Sequence, residues 1–205
     1  MAVHHHLGLS SAIQGRRSIR HFTSEPVDVQ LLVSLLGEAC WAPSPHNSQP
    51  WRFTILSHVD ERHALADAMA ERLSADLSAQ GHTAESIATK TEASRARITS
   101  APAAILCSLD PDGLVVAGDQ RLDDLEWQMA VQSVGAVLQT FFLLAAEHGL
   151  ATCWMAAPMY CADIVRRVLR LPHGVVPQAL VLVGKAGREG RIRARRPLDS
   201  VVDFR

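Results

Sequence analysis

Three arginines and a serine fall within five residues in "RRSIR", positions 16–20. Spaced two apart, Arg16, Ser18 and Arg20 share one side if the segment is extended, because successive side chains of a strand alternate in direction. Guanidinium groups present paired donors to phosphate oxygens and the Ser18 hydroxyl adds one more, so the cluster suits a phosphate clamp. A solvated basic turn accounts for the same residues. A second cluster, "RIRARRP" at 191–197, puts Arg193 and Arg195 in the same alternating relation. Two such clusters suit one phosphate, and a nucleic-acid arm is the competing reading. No aromatics interleave with these arginines and the net charge is −1, which argues against the arm.

A different chemistry sits in "WAPSPHNSQPWRF", residues 41–53. Asn47 and Gln49 carry amides that both donate and accept, as a heterocycle with N–H and carbonyl edges requires. Pro43, Pro45 and Pro50 restrict the backbone, so those amides are held rather than searching. An ordinary turn is the alternative. Elsewhere the sequence suggests no Ser-His-Asp arrangement. Cys40, Cys107, Cys153 and Cys161 lack Cys-x-x-Cys spacing, which fits packed thiols better than a disulfide frame or zinc site, and no metal is expected. Nothing beside Cys153 or Cys161 argues for a lowered thiol pKa. The run His4-His5-His6 reads as a frayed terminus rather than a metal site. Trp41, Trp51 and Trp154 read as packing residues at element boundaries.

The elements that must position these groups are read from periodicity. A short helix over 10–16, capped by Ser10 or Ser11, leads into the arginines. Asp28 caps a helix whose stripe is Val29, Leu32, Val33, Leu36 and Cys40, stopped by Pro43. "WRFTIL" (51–56) reads as a strand. Helices from Asp60 towards Gly81 and from Thr83 to Thr99 are charged on much of their surface and belong outside. "AAILCSL" (103–109) is a buried strand. Asp123–Glu147 is the longest and most apolar helix, ended at Gly149. "ATCWMAA" is extended, 162–170 helical, and "QALVLVG" (178–184) a second buried strand.

Hydrophobic residues at 48% and charged residues at 20% of 205 describe an ordinary globular chain, one domain over 1–205. The near-neutral charge provides no overall attraction for nucleic acid or an acidic membrane. The run 134–146 is too short to span a bilayer, and the N-terminus lacks a signal-peptide pattern, so the expected location is cytoplasmic. Helices and strands alternate irregularly, which favours the α+β class over a doubly wound sheet.

Taken in order, "RRSIRHF", "APSPHNSQPWRF", the apolar helix ending in "EHGLATCW" and the terminal "RARRPLDSVV" resemble the FMN-dependent nitroreductase family. Within it, "CWMAAPMYCADIVRRVLRLP" and "PQALVLVGKAG" look similar to the flavin-binding C-terminal domain of the bifunctional coenzyme F420 gamma-glutamyl ligase. The resemblance implies a three-layer α-β-α fold with a mostly antiparallel sheet. It also implies a homodimer, with FMN at the interface and the tail 185–205 wrapped over the partner. By the same resemblance Arg16, Ser18 and Arg20 hold the FMN phosphate and ribityl chain, with Arg17 nearby and Arg193 and Arg195 closing from the tail. Pro43, Ser44, Asn47 and Gln49 line the isoalloxazine, some from the partner subunit. Met155, Ala156 and Ala157 pass the ring edge near N5 and O4. Pro45 and His46 stand where family members often carry small hydroxyl residues, and His46 becomes the ionisable candidate for the substrate pocket, a packed or solvated histidine being the alternative. "MAAP" lacks the acidic residue and glycine that some members place beside N5. The region 60–99 includes what usually builds the substrate mouth.

The chemistry so implied is carried by flavin N5 rather than by catalytic side chains. Hydride from NADH or NADPH passes through it to a nitroaromatic, a quinone or a related small-molecule acceptor in a ping-pong cycle. Reduction of a dehydro-F420 precursor is a narrower alternative, and a non-catalytic flavin-binding protein is another.

Overall fold

The structure, a computed structural model, describes residues 8–205, and the histidine run at 4–6 lies outside them. Four strands, β1 (Trp51–Leu56), β2 (Ala103–Leu109), β3 (Ala151–Met155) and β4 (Val176–Gly184), form one antiparallel sheet in the order β1-β2-β4-β3. Every residue of β2 is buried, as is all of β4 after Val176. Such strands read as near-continuous apolar runs, here interrupted by the buried Ser108 and Gln178, because both their faces are covered.

The period of two divides their side chains cleanly. Ile105, Cys107, Ala179, Val181 and Val183 join one core with helices α2 (Val29–Ala39) and α5 (Gln120–Glu147), around Leu32, Leu35, Val137, Leu138 and Phe141. Ala104, Leu106, Leu180 and Leu182 join the other, with α3 (Val59–Ala79), α4 (Ala84–Thr99) and α6 (Ala162–Leu169), around Leu65, Met69, Ile98 and Val165. The architecture is therefore three layers, helix on sheet on helix, as the resemblance implies. By length and composition α5 could also cross a bilayer; here its buried face lies on the sheet.

Several local expectations hold. Asp28 accepts from the Gln30 N–H and caps its helix; Thr83, which the sequence places inside a helix, instead caps α4 by accepting from the Ser86 N–H. Gly149 follows the end of α5 at φ +68°, where a Cβ would be strained. Other expectations are corrected. The first helix, α1 (Leu9–Gly15), starts at Gly8 with no side-chain cap, so neither Ser10 nor Ser11 serves. In α2 the buried stripe is Leu32, Leu35, Leu36 and Ala39, while Val33 turns outward. α5 begins at Gln120 under an Asp119 cap, because Asp123 reaches back to the Ala117 N–H instead. Strand β4 starts two residues early and includes Pro177, tolerated because the β2 pairing shifts register there and β3 pairs only with 180–184. Trp41 does not pack within the chain; it is 91% exposed.

Arg62 shows what closes the α3 side. It is 6% exposed and its Nη1 donates to the carbonyls of Leu56 (3.2 Å) and Ser57 (2.7 Å), where β1 turns into α3. Burial lowers its pKa, offset in part by Glu61. Charged donors to buried carbonyls contribute roughly 1.5–3 kcal/mol each. Arg62→Met keeps the stem and removes both bonds, so it should lower the unfolding free energy by about 2–3 kcal/mol in urea titration; a loss within error of zero would show that the Arg62 head group does not hold this junction.

Candidate functional site

At the end of α1 the chain straightens, and the Ile19 N–H donates to the Thr152 carbonyl at 2.9 Å while Ser18 bridges Thr152 in parallel. Residues 18–19 thus add a short piece to the free edge of β3. Ile19 points into the protein, 8% exposed, so the alternation turns Ser18 and Arg20 outward, as their spacing predicts. Arg17 turns its guanidinium back to the carbonyls of Gln14 and Arg16. Arg16 lies over the Phe142 ring, 5.9 Å from its centroid, and its Nε is buried with no acceptor among the described residues. The ring contact is worth roughly 0.5–1 kcal/mol, whereas an orphaned buried donor costs roughly 1–3 kcal/mol. The fold alone does not stabilise Arg16 in this place, and an oxygen acceptor arriving at Nε would.

The tail brings the second cluster to the first. Thr23 N–H donates to the Lys185 carbonyl (3.0 Å), Phe22 bridges Ala186, and Gly187 N–H donates to the His21 carbonyl (2.8 Å). Gly190 then passes against Arg17 so closely that a Cβ there would stand 2.3 Å from the Arg17 Cβ. The result is an open cavity of about 720 Å³ lined by Arg16, Arg17, Ser18, Arg20, Arg188, Arg191, Arg193 and Arg195, with Glu189 the one carboxylate. Such a surplus of guanidinium donors suits a phosphate.

Arg20 also lines a second cavity, of about 490 Å³, beyond the end of β3. Its wall is Trp154, Met155, Ala156 and Ala157 on one side and Thr89, Lys90, Ala93, Ser94 and Arg97 of α4 on the other. Burial raises the pKa of the Cys153 thiol, and the positive charges of Arg20 and Arg97 both act against that rise. Burial likewise raises Cys40, Cys107 and Cys161, and all four cysteines are free. The α4 residues are absent from the sequence-based set. Their signal was the spacing 89, 90, 93, 94, 97, one helical face, hidden in a helix that reads as solvated on most sides.

The proline loop is not brought to these cavities. Pro43, Ser44, His46, Asn47 and Gln49 precede β1, which is the opposite edge of the sheet from β3, and line neither cavity. Three strand spacings, about 14 Å, separate the two edges. The loop is nonetheless built: Gln49 N–H donates to Ser44 Oγ at 3.0 Å, and Asn47 and Ser48 N–H groups donate to the carbonyls of Ser44 and Pro45. His46, Asn47 and Gln49 take φ of 53°, 53° and 46°, a region costly for residues other than glycine or asparagine. Their side chains are exposed. Among the described residues no His, Cys, Asp and Glu cluster could hold a metal.

The nitroreductase family model matches residues 13–185. The chain is 30% identical to an NADH dehydrogenase of Thermus thermophilus, over 97% of each chain. Among solved structures it resembles an FMN and NADPH-dependent nitroreductase from Sphigopyxis sp. strain HMH, with 25% identity, TM-score 0.74, and 97% and 99% of the two chains covered. A nitroreductase-like protein from Bacillus cereus matches at 25% identity and TM-score 0.77, over 99% of this chain and 98% of that one.

The contact at Gly190 makes the tail position testable. Gly190→Ala forces the strap off Arg17, so it should cost about 1–3 kcal/mol of stability and weaken binding of inorganic phosphate in calorimetry. Gly37→Ala, whose Cβ meets nothing within 4 Å, is the control. Equal phosphate affinity in both variants would show that the strap does not build the arginine cavity.

Proposed function

This chain belongs to the nitroreductase family, and from that premise we propose that it is an FMN-dependent oxidoreductase, acting as a homodimer, that carries electrons from NADH or NADPH to an electron-poor acceptor such as a nitroaromatic or quinone. The observation that carries this reading is Arg20, shared between an arginine-lined cavity and a second one between the end of β3 and α4. A phosphate joined by a flexible chain to a ring would span two such adjoining cavities. Bound FMN supplies two-electron transfer, first from the nicotinamide and then to the acceptor, in a ping-pong cycle.

The side chains have separate tasks in this reading. Arg16, Ser18, Arg193 and Arg195 hold the phosphate, and the buried Arg16 Nε gains the acceptor it lacks. Arg17, committed to the end of α1, fixes the turn rather than the ligand. Arg20 takes the chain between the cavities. The backbone of Met155, Ala156 and Ala157 flanks the ring edge. Arg97 and Arg20 would set positive charge beside a bound ring and so favour its reduced, negatively charged form.

The loop 43–49 reaches a ring only across a subunit boundary. Supporting that arrangement, the chain exposes large apolar side chains at Trp41 (91%), Ile192 (83%) and Phe204 (95%), more than a monomer's scattered surface residues. Leu122 and Leu125 on one side of the first half of α5, and Trp127 and Val131 on another, are also exposed. In this reading a second copy covers part of this surface, brings Pro43, Ser44, Asn47 and Gln49 to the neighbour's ring, and gives the tail a surface to wrap. His46 then stands at the pocket's rim. The cytoplasm is the compartment in this reading.

An anaerobic visible spectrum of the purified protein, before and after NADH or NADPH, tests the proposal. A flavin spectrum that bleaches, with recovery on adding a nitroaromatic, is expected. Bleaching restored only by a dehydro-F420 precursor favours the narrower role suggested by the segments 153–172 and 177–187. Bound FMN that nicotinamide leaves oxidised favours a non-catalytic flavoprotein, and absence of any FMN binding overturns the reading. The double variant Asn47→Ala, Gln49→Ala should lose flavin on gel filtration or shift its reduction potential; unchanged spectra and kinetics would remove the loop from the site.

A further inference from the structure

The cavity beside Met155–Ala157 holds a cation that the proposed flavin contacts do not use. Lys90 lies on the same face of α4 as Arg97 and seven residues before it, about 10 Å along the helix. Thr89 and Lys90 line that wall about one turn or more N-terminal to Ala93, Ser94 and Arg97. The Lys90 ammonium donates to His82 Nδ1 at 3.3 Å, which places the His82 proton on Nε2 and ties the lysine to the α3–α4 turn.

Ion pairing on this part of the protein is selective. Arg95, one turn from the cavity face, pairs with Asp67 of α3, and Arg72 pairs with Asp76 (3.2 Å) and Asp163 (3.4 Å). Among the described residues Arg20, Lys90 and Arg97 form no ion pair, and the cavity they line contains no carboxylate. The arginines between helices are neutralised while the three cations facing the cavity are not. An uncompensated set of like charges around a partly enclosed space raises the local concentration of anions and repels cations.

Resting on the reading of this site as a flavin oxidoreductase, we propose that Lys90 is a specificity-determining residue that anchors a carboxylate or phosphate on the electron acceptor, so that the acceptor of this protein is an anionic aromatic compound. Arg20 and Arg97 remain with the ring, and the lysine two turns out meets the acceptor's charged end. Ser94 offers a hydroxyl beside that path, while the Thr89 hydroxyl donates to the Glu85 carbonyl, and Leu73 and Trp154 give it apolar walls.

Acceptors of matched size separate the charge from everything else. Calorimetry and steady-state turnover are measured on the FMN-loaded protein with 4-nitrobenzoate and with nitrobenzene, at fixed NADPH. Wild type should bind 4-nitrobenzoate more tightly. Lys90→Glu should raise the Kd and KM for 4-nitrobenzoate about tenfold while leaving nitrobenzene and kcat unchanged, Lys90→Met should fall between, and Lys90→Arg should restore the preference. If charge reversal raises the KM for NADPH and leaves the acceptor preference intact, the lysine serves the donor's phosphates and the proposal is overturned. Equal effects on both nitro compounds, or no effect, overturn it as well. Discrimination in binding without any turnover would uphold the anion site and overturn the oxidoreductase reading, so the two failures are distinguishable.

Discussion

Burial of β2 and β4 on both faces is the constraint on which the remaining structure depends. A sheet whose two central strands are buried and, Ser108 and Gln178 apart, apolar requires helices on each side, and the period of two then fixes which residues meet α2 and α5 and which meet α3, α4 and α6. No polar chemistry fits in such an interior without a costly unpaired group. Chemistry is confined to the edges of the sheet. The β3 edge receives residues 18–19 as an added piece and, through the tail, the arginines of 188–195. The β1 edge receives the proline loop. Two half-sites at opposite edges of one sheet result from the same packing that makes the core, and in the proposed dimer each edge completes the other's site.

The sequence revealed what depends on neighbours along the chain. β1 and β2 were legible to the residue because each apolar run is bounded by proline or a polar turn, and the cap Asp28 was legible because a short oxygen-bearing side chain stands before its helix. The Arg16, Ser18, Arg20 alternation was legible because a buried Ile19 between outward residues is a strand's own pattern. The start of β4 was not, since Pro177 argues against a strand unless the register shift opposite Cys107 and Ser108 is known. The start of α5 was not, since Asp119 and Asp123 are equally good caps and only the loop at Ala117 decides between them. Least legible was the distance between the arginines and the proline loop, which depends on strand order rather than on any residue.

The placement of charge separates structural arginines from ligand-facing ones. Arg52 pairs with Asp110, Arg72 with Asp76 and Asp163, and Arg95 with Asp67, each holding two elements together at the surface. Exposed pairs of this kind contribute only roughly 0–1 kcal/mol, so they do little for stability. Their effect is on the field: they cancel charge on the outer faces and leave it uncancelled along the β3 edge. With 20 basic and 21 acidic residues, the chain has enough carboxylates to neutralise that edge, yet among the residues lining the two cavities it places one, Glu189. A net charge of −1 is therefore no guide to the potential a ligand meets. Basic residues line the edge from the tail through Arg20 to Arg97 and Lys90. In the proposed reading a phosphate-bearing cofactor neutralises the first of them and leaves Lys90 at the far end, so that the electrostatics of the site bear on the choice of substrate as well as on retention of the cofactor.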